Sequence, residues 1–311
     1  MPGDPRYLTR RAQDLGFQLE SLQKVWALTD LLRRLMGHPS VGPRVLLRGG
    51  TAINFLFANV TRLSVDIDLD YVGALDRARM LSERPDLVQD IRKILDALGY
   101  QVVALDRGYA LNQWILRYDG IEGRRGEVKL ELNWLNRLPI LPIQELIFHS
   151  LFEIPAFPVR TLAREELFAG KIVTFLSRHA ARDLFDLFLL ASGRVPLDET
   201  LLRKLTVFIG CAEEEDFRRL LGVGLPDLDP AHVERDLRPL LRLGEEFDVP
   251  KVISTVKEFL EHVLNLSDEE NQFVEDFYRK QVDPGRLFGT YQITPHIREY
   301  PNLIWRLQHM Q

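Results

Sequence analysis

The chain has 311 residues, 46% hydrophobic and 27% charged, enough length and apolar content for two globular domains. A total of 40 Lys and Arg against 45 Asp and Glu leaves a net charge of −5, so this is not a generally basic nucleic-acid binder, and any RNA contact has to use a local patch. The single cysteine, Cys211, excludes an intramolecular disulfide and a cysteine-built zinc cage.

The seven histidines are scattered without paired metal-ligand spacing. No apolar run reaches membrane-spanning length, and Met1-Pro2-Gly3-Asp4-Pro5 lacks the apolar core of a secretory leader. The expectation is a cytoplasmic protein with no membrane partner.

Leu15, Leu19, Leu22, Val25, Trp26, Leu28, Leu32 and Leu35 recur at three- and four-residue spacing and predict helix over 6–37, ended by Gly37 and Pro39. Val45-Leu46-Leu47 predicts a short buried strand, 51–58 a helix leaving a Gly-Gly turn, and 65–72 a strand in which acids alternate with apolar residues. A helix over 86–98 closes at Gly99, and strands follow at 100–106, 110–118 and 126–134, with turns at Gly108, Asp119-Gly120 and Gly123. The stretch 139–158, which contains prolines, separates these from helices at 162–178, 181–191, 197–209, 213–221, 231–243, 251–265 and 268–280. Thr161, Asp198, Asp229 and Ser267 are placed to cap helices, and Gly285 onward reads as irregular. The fold expected is α+β: a small mixed-sheet core with N-terminal helices over 1–160, then a mainly helical domain over 161–311.

Chemistry concentrates first in Arg48-Gly49-Gly50-Thr51 and in Arg62-Leu63-Ser64-Val65-Asp66-Ile67-Asp68-Leu69-Asp70. A Gly-Gly turn lets backbone N–H groups approach phosphate oxygens, and the helix behind it presents its positive end. Alternate strand residues share a face, so Ser64, Asp66, Asp68 and Asp70 point one way and Val65, Ile67 and Leu69 the other. Parallel carboxylates repel unless a cation neutralises them, and hard oxygen donors select Mg²⁺ or Ca²⁺. The apolar opposite face predicts a central strand.

Glu127-Val128-Lys129-Leu130-Glu131-Leu132-Asn133-Trp134 puts Lys129, Glu131 and Asn133 on one face. Glu131 could be a third metal carboxylate, or the three could form a solvated face. In the segment 167–187, Lys171 lies among Leu167, Phe168, Ile172 and Phe175. It either snorkels to water or reaches triphosphate oxygens as a point charge. Arg182 and Asp186, four apart, predict an ion pair on one helix face, with Asp183 a helix N-cap or a further partner.

Four blocks in order, Gly-Gly-Thr-Ala at 49–52, Arg-x-Ser-x-Asp-Ile-Asp-Leu at 62–69, Lys-Leu-Glu-Leu-Asn at 129–133 and Ala-Gly-Lys…Arg-Asp-Leu-Phe-Asp at 169–186, resemble the AbiEii/AbiGii toxin family. These are MenT-like nucleotidyltransferases of the DNA polymerase β-like superfamily, found in abortive-infection and toxin–antitoxin loci. The resemblance covers roughly residues 20–190. It implies a nucleotidyltransferase core plus a helical domain, with metal-dependent transfer of a nucleoside monophosphate from an NTP. Asp66 and Asp68 match the metal pair, with Mg²⁺ or Mn²⁺ as the ion and Glu131 as a further candidate. Gly49, Gly50, Thr51 and Ser64 fall on the nucleotide side, and Lys171 and Asp186 match the lysine and acid of the later motifs. Arg48 departs from the lysine that many relatives carry before the Gly pair, but keeps the charge. Some members modify the 3′ end of tRNA, so tRNA is the expected acceptor and a cognate antitoxin a possible partner.

An RNA acceptor needs a basic track, for which Arg124, Arg125, Arg160, Arg164, Arg178 and Arg182 are the candidates. Two alternatives stay open on the residues alone. One is a nucleotidyltransferase modifying a protein or small molecule. The other is a non-catalytic, metal-stabilised binding protein.

Overall fold

The computed structural model describes residues 4–120, 125–223, 228–244 and 247–310, and the chain divides into two units. The division is not a single cut. Residues 1–137, 143–161 and 238–245 form the first unit, and 138–142, 162–237 and 246–311 the second.

The first unit holds a seven-stranded mixed sheet: β1 (Val45–Arg48), β2 (Asp66–Tyr71), β3 (Gln101–Arg107), β4 (Leu111–Asp119), β5 (Arg125–Asn133), β6 (Gln144–Phe148) and β7 (Phe157–Thr161). Their spatial order is β3-β4-β5-β2-β1-β7-β6, so the acidic strand β2 is the middle one. It runs parallel to β5 and antiparallel to β1. One face of each central strand is fully apolar: Ile67, Leu69, Leu130 and Leu132 are all buried. Helix α2 (Leu19–Gly37) packs against β2, β5 and β7. Its Leu22, Val25, Leu28, Leu32 and Leu35 are shut off from solvent, each contributing about 1.5–3 kcal/mol by burial.

The helix expected over 6–37 is two helices. Gly16, at φ +70°, ends α1 (Pro5–Leu15) in a left-handed C-cap, and the chain restarts at Leu19. A periodicity that runs through the break conceals it. Helix α3 (Gly49–Ala52) starts at the first glycine and continues as a π-helical turn through Phe57. Helix α4 (Arg77–Ala97) begins before its expected start, capped by Asp76, and carries Pro85 inside. Burial of Met80 and Leu87 on either side outweighs the proline's preference against a helix interior.

The stretch 139–158 conceals β6 and the start of β7, because Pro158 disguises a strand next to the sheet edge. Thr161 is therefore the end of β7 and not a helix cap. Its hydroxyl donates to the Leu47 carbonyl at 2.8 Å, and helix α5 (Arg164–Arg178) starts beyond it with Ala163 at the N-cap.

The second unit is helical: α5, α6 (Ala181–Ala191), α7 (Glu199–Ala212), α8 (Phe217–Val223), α9 (Pro230–Leu237), α10 (Val249–Val263) and α11 (Asp268–Tyr278). Asp198 and Ser267 cap α7 and α11, and Ser267 completes a capping box with Glu270. Gly285 onward is not wholly irregular: α12 (Pro284–Phe288) and α13 (Pro301–His309) form there, each with a proline in its first turn. The 138–142 segment is tied to this unit by Glu166, whose carboxylate accepts from the N–H groups of Ile140 and Leu141 at 2.8 and 2.9 Å. Among the described residues no helix is long and apolar enough to cross a membrane.

Candidate active site

Strands β2 and β5 lie side by side in register, pairing Asp66 with Lys129, Asp68 with Glu131 and Asp70 with Asn133. Paired residues share a sheet face, so Asp66, Asp68, Lys129 and Glu131 stand together on the face opposite the apolar core. On the other side of β2, Arg48 is the register partner of Asp68. Its Nε lies 3.1 Å from the carboxylate of Asp70, a diagonal neighbour that is only 1% exposed. Burial pushes the Asp70 carboxyl up to about 6, opposed by Arg48 and a hydrogen bond from Asn136. The Asp68 carboxyl is also raised, first by burial, with Glu131 and Asp66 adding to the effect and Arg48 opposing it.

The two glycines fit this acid with no space left over. Gly49 takes φ +69°, where a side chain is strained, and a Cβ there would overlap Oδ2 of Asp68. A Cβ on Gly50 would lie 2.7 Å from Nη2 of Arg62 and 3.0 Å from Oγ of Ser64. Arg62 is itself buried and donates to the Leu63 carbonyl at 2.9 Å. Thr51 faces inward: its hydroxyl lies 3.0 Å from that of Ser64 and donates to the Asp66 carbonyl. Its side chain thus braces α3 against β2.

Asp66, Asp68 and Glu131 carry the hard oxygen donors that a divalent ion takes, on one face of β2 and β5. The donor chemistry fits such an ion, which Asp66 and Asp68 would hold. No three His, Cys, Asp or Glu side chains among the described residues are gathered as an ion cage. Glu131 is instead turned to Lys129, whose Nζ lies 2.9 Å away.

In the second unit, Lys171 does not snorkel. It is 9% exposed, and its Nζ lies 2.7 Å from Asp183 and 3.3 Å from Asp186. Asp183 also receives two hydrogen bonds from Arg178, at 2.7 and 3.1 Å. Burial would raise the Asp183 carboxyl, but Lys171 and Arg178 outweigh it and hold the group below its ordinary range. Asp183 is thus the further partner, with Ala180 at the N-cap of α6.

A family model described as the nucleotidyl transferase AbiEii toxin of type IV toxin–antitoxin systems matches residues 30–277. The chain belongs to that family. It is a nucleotidyltransferase, and its family is one of NTP-using toxins. Among solved structures, MenT4, a nucleotidyltransferase toxin from Mycobacterium tuberculosis H37Rv, matches with a TM-score of 0.64 at 20% identity, covering 97% of this chain and 98% of that one. That likeness concerns the fold. No curated protein sequence matches significantly.

The arginines singled out in this AbiEii-family chain are divided between the two units. Arg124 lies outside the described residues, and Arg125 is exposed with Asp119 3.9 Å away. Arg160, in the first unit, donates to the Pro43 carbonyl. In the second unit, Arg164 lies 3.6 Å from Glu165, Arg178 is committed to Asp183, and Arg182 is half-buried on α6. Sequence reasoning missed the Arg48–Asp70 pair, the position of Arg62 beneath Gly50, and Arg178 as a second cation on Asp183. The Gly-Gly step itself was a signal for the second of these, since a glycine free of turn duty implies a neighbour where its side chain would be.

Proposed function

We propose that this nucleotidyltransferase is a metal-dependent toxin that transfers a nucleoside monophosphate from an NTP to the 3′ end of tRNA. The observation that carries the reading is the placement of Asp66 and Asp68 on one half-buried face of a central strand, with Asp68 directly against Gly49. The Gly49–Gly50 turn at the start of α3 leaves backbone N–H groups for triphosphate oxygens. Lys171, as the lysine of the later family motif, is assigned to the triphosphate. In the reaction the acceptor hydroxyl oxygen bonds to the α-phosphorus while the α–β bridging P–O bond breaks and pyrophosphate leaves. Asp66 and Asp68 would hold Mg²⁺ or Mn²⁺, which supplies charge for the leaving pyrophosphate and lowers the pKa of the attacking hydroxyl. The protein's own contribution is positioning and charge placement. A cognate antitoxin is the partner that a toxin of this family implies.

The test is incubation of the purified chain with each labelled NTP, Mg²⁺ and total cellular RNA, with an EDTA control. Label in the tRNA fraction that EDTA abolishes supports the proposal. Label in protein or small molecules with tRNA unlabelled overturns the acceptor, and EDTA-resistant label overturns the metal.

A further inference from the structure

Lys129 has no assigned task in the transfer chemistry, yet it stands among the acids of β2 and β5 that are assigned to the metal. It is the register partner of Asp66 across β2 and β5, and Glu131 lies two residues along on the same face. Its Nζ holds Glu131 at 2.9 Å, with the two side chains 30% and 18% exposed. Arg48, the cation on the other flank, is shared with Asp70.

Three carboxylates on one half-buried face repel one another. Glu131 sits directly beside Asp68 in the sheet, so a side-chain rotation alone, with no backbone movement, would let it join the Asp pair. What holds it away is Lys129. A lysine suits a reversible contact: its ammonium is a compact charge on a flexible stem, without the planar fork that would fix an arginine on a carboxylate.

We infer that Lys129 is a resident counter-cation of the Asp66, Asp68 and Glu131 carboxylates that competes with the divalent ion for Glu131, and so sets the metal concentration at which the site assembles. The inference rests on the reading that these acids hold metal. A lysine that merely braced the sheet would contribute equally with and without the ion. A competing cation helps only in its absence and opposes its entry.

The experiment is a titration of the full chain with Mg²⁺ alone, repeated with Mn²⁺ and without nucleotide, following the thermal midpoint of wild type, Lys129→Met and Lys129→Arg. Lys129→Met should melt lower than wild type in EDTA, yet reach half of its metal-induced stabilisation at about fivefold lower metal or less, as expected for removal of one like charge from a partly buried site. Lys129→Arg keeps the charge and grips Glu131 with a fork, so it should need more metal than wild type. A Lys129→Met curve displaced downward by the same amount at every metal concentration overturns the inference. If that variant does not fold, Lys129→Arg decides alone: a higher metal requirement supports competition, and an unchanged or lower one overturns it. A wild-type metal response with unmoved midpoints in the variants refutes Lys129 only. A wild type that neither responds to metal nor transfers nucleotide refutes the metal assignment as well.

Discussion

The backbone of Gly49 is packed against the carboxylate of Asp68: a methyl group on Gly49 would overlap Asp68 Oδ2. Two demands therefore converge on one residue. The turn from β1 into α3 needs φ +69°, and the acid needs the volume. The contact couples the Gly49–Gly50 turn to β2, so neither can shift without the other.

Gly49→Ala should consequently damage both. The positive φ alone should cost more than about 1 kcal/mol, and displacing Asp68 by an ångström should lower transfer by about 10²-fold. Gly50→Ala meets the buried Arg62 at 2.7 Å and Ser64 at 3.0 Å, but Gly50 has no positive φ, so without backbone strain and away from Asp68 it should be milder. Urea melts with single-turnover transfer would check this, and a fully active Gly49→Ala would show that the contact has no catalytic consequence.

Asp66→Ala and Asp68→Ala should each abolish transfer without unfolding the chain. Asp68→Asn adds a test of sign. The folded carboxyl titrates above its ordinary value of 3.8, so over that window the native state binds more protons than the unfolded one. Stability therefore falls as pH rises from 3.8 through the raised value, and the penalty is complete above it. Metal-free Asp68→Asn should thus be more stable than wild type at neutral pH, with the difference vanishing below about pH 4. Thermal melts in EDTA across pH measure it. A less stable variant at neutral pH would mean that Arg48 more than compensates the acid.

Much of this site was legible because alternation in a strand is local. Residues 64–70 announce their two faces without reference to any neighbour, and the fully apolar face announces a central position. The partners of those acids were not legible. That Arg48 reaches diagonally to Asp70, or that Lys129 faces Asp66, depends on strand order and register, which hydrophobic pattern does not encode. The same holds for Thr51, whose inward rotation follows from how α3 docks on β2. Elsewhere single residues masked elements: Pro158 disguised β7, and the periodicity across Gly16 hid a break in the helix.

Asp183 gives a prediction of opposite sign. It is 1% exposed and holds two cations, Lys171 and Arg178, so Asp183→Asn leaves Lys171 short of one buried partner. The loss should be about 3–5 kcal/mol, as for breaking a buried ion pair from one side. The folded carboxyl titrates below 3.8, so its contribution is complete above that pH and is lost as pH falls through the depressed value. The stability gap between wild type and Asp183→Asn should therefore be constant at neutral pH and close only in strong acid. A gap that closes between pH 5 and pH 7 would assign the stability to another group.

The acceptor prediction concerns salt. An acidic chain that binds tRNA has to do so through a few arginines, and each phosphate contact releases condensed counterions. Substituting Arg124 and Arg125 together, or Arg160 and Arg164 together, with alanine should weaken tRNA binding. Each lost contact should flatten the log–log salt slope by about 0.7 to 0.9. Arg125 is exposed with only a distant carboxylate, whereas Arg160 already donates to a backbone carbonyl. The first pair should therefore have the larger effect. The Asp66 and Asp68 variants should do the reverse, binding tRNA with the wild-type slope while transferring nothing. Binding measured by filter retention across a salt series separates the two classes. A wild-type slope in both double variants, with tRNA still labelled by the wild type, would keep the chemistry and move the RNA track to other residues.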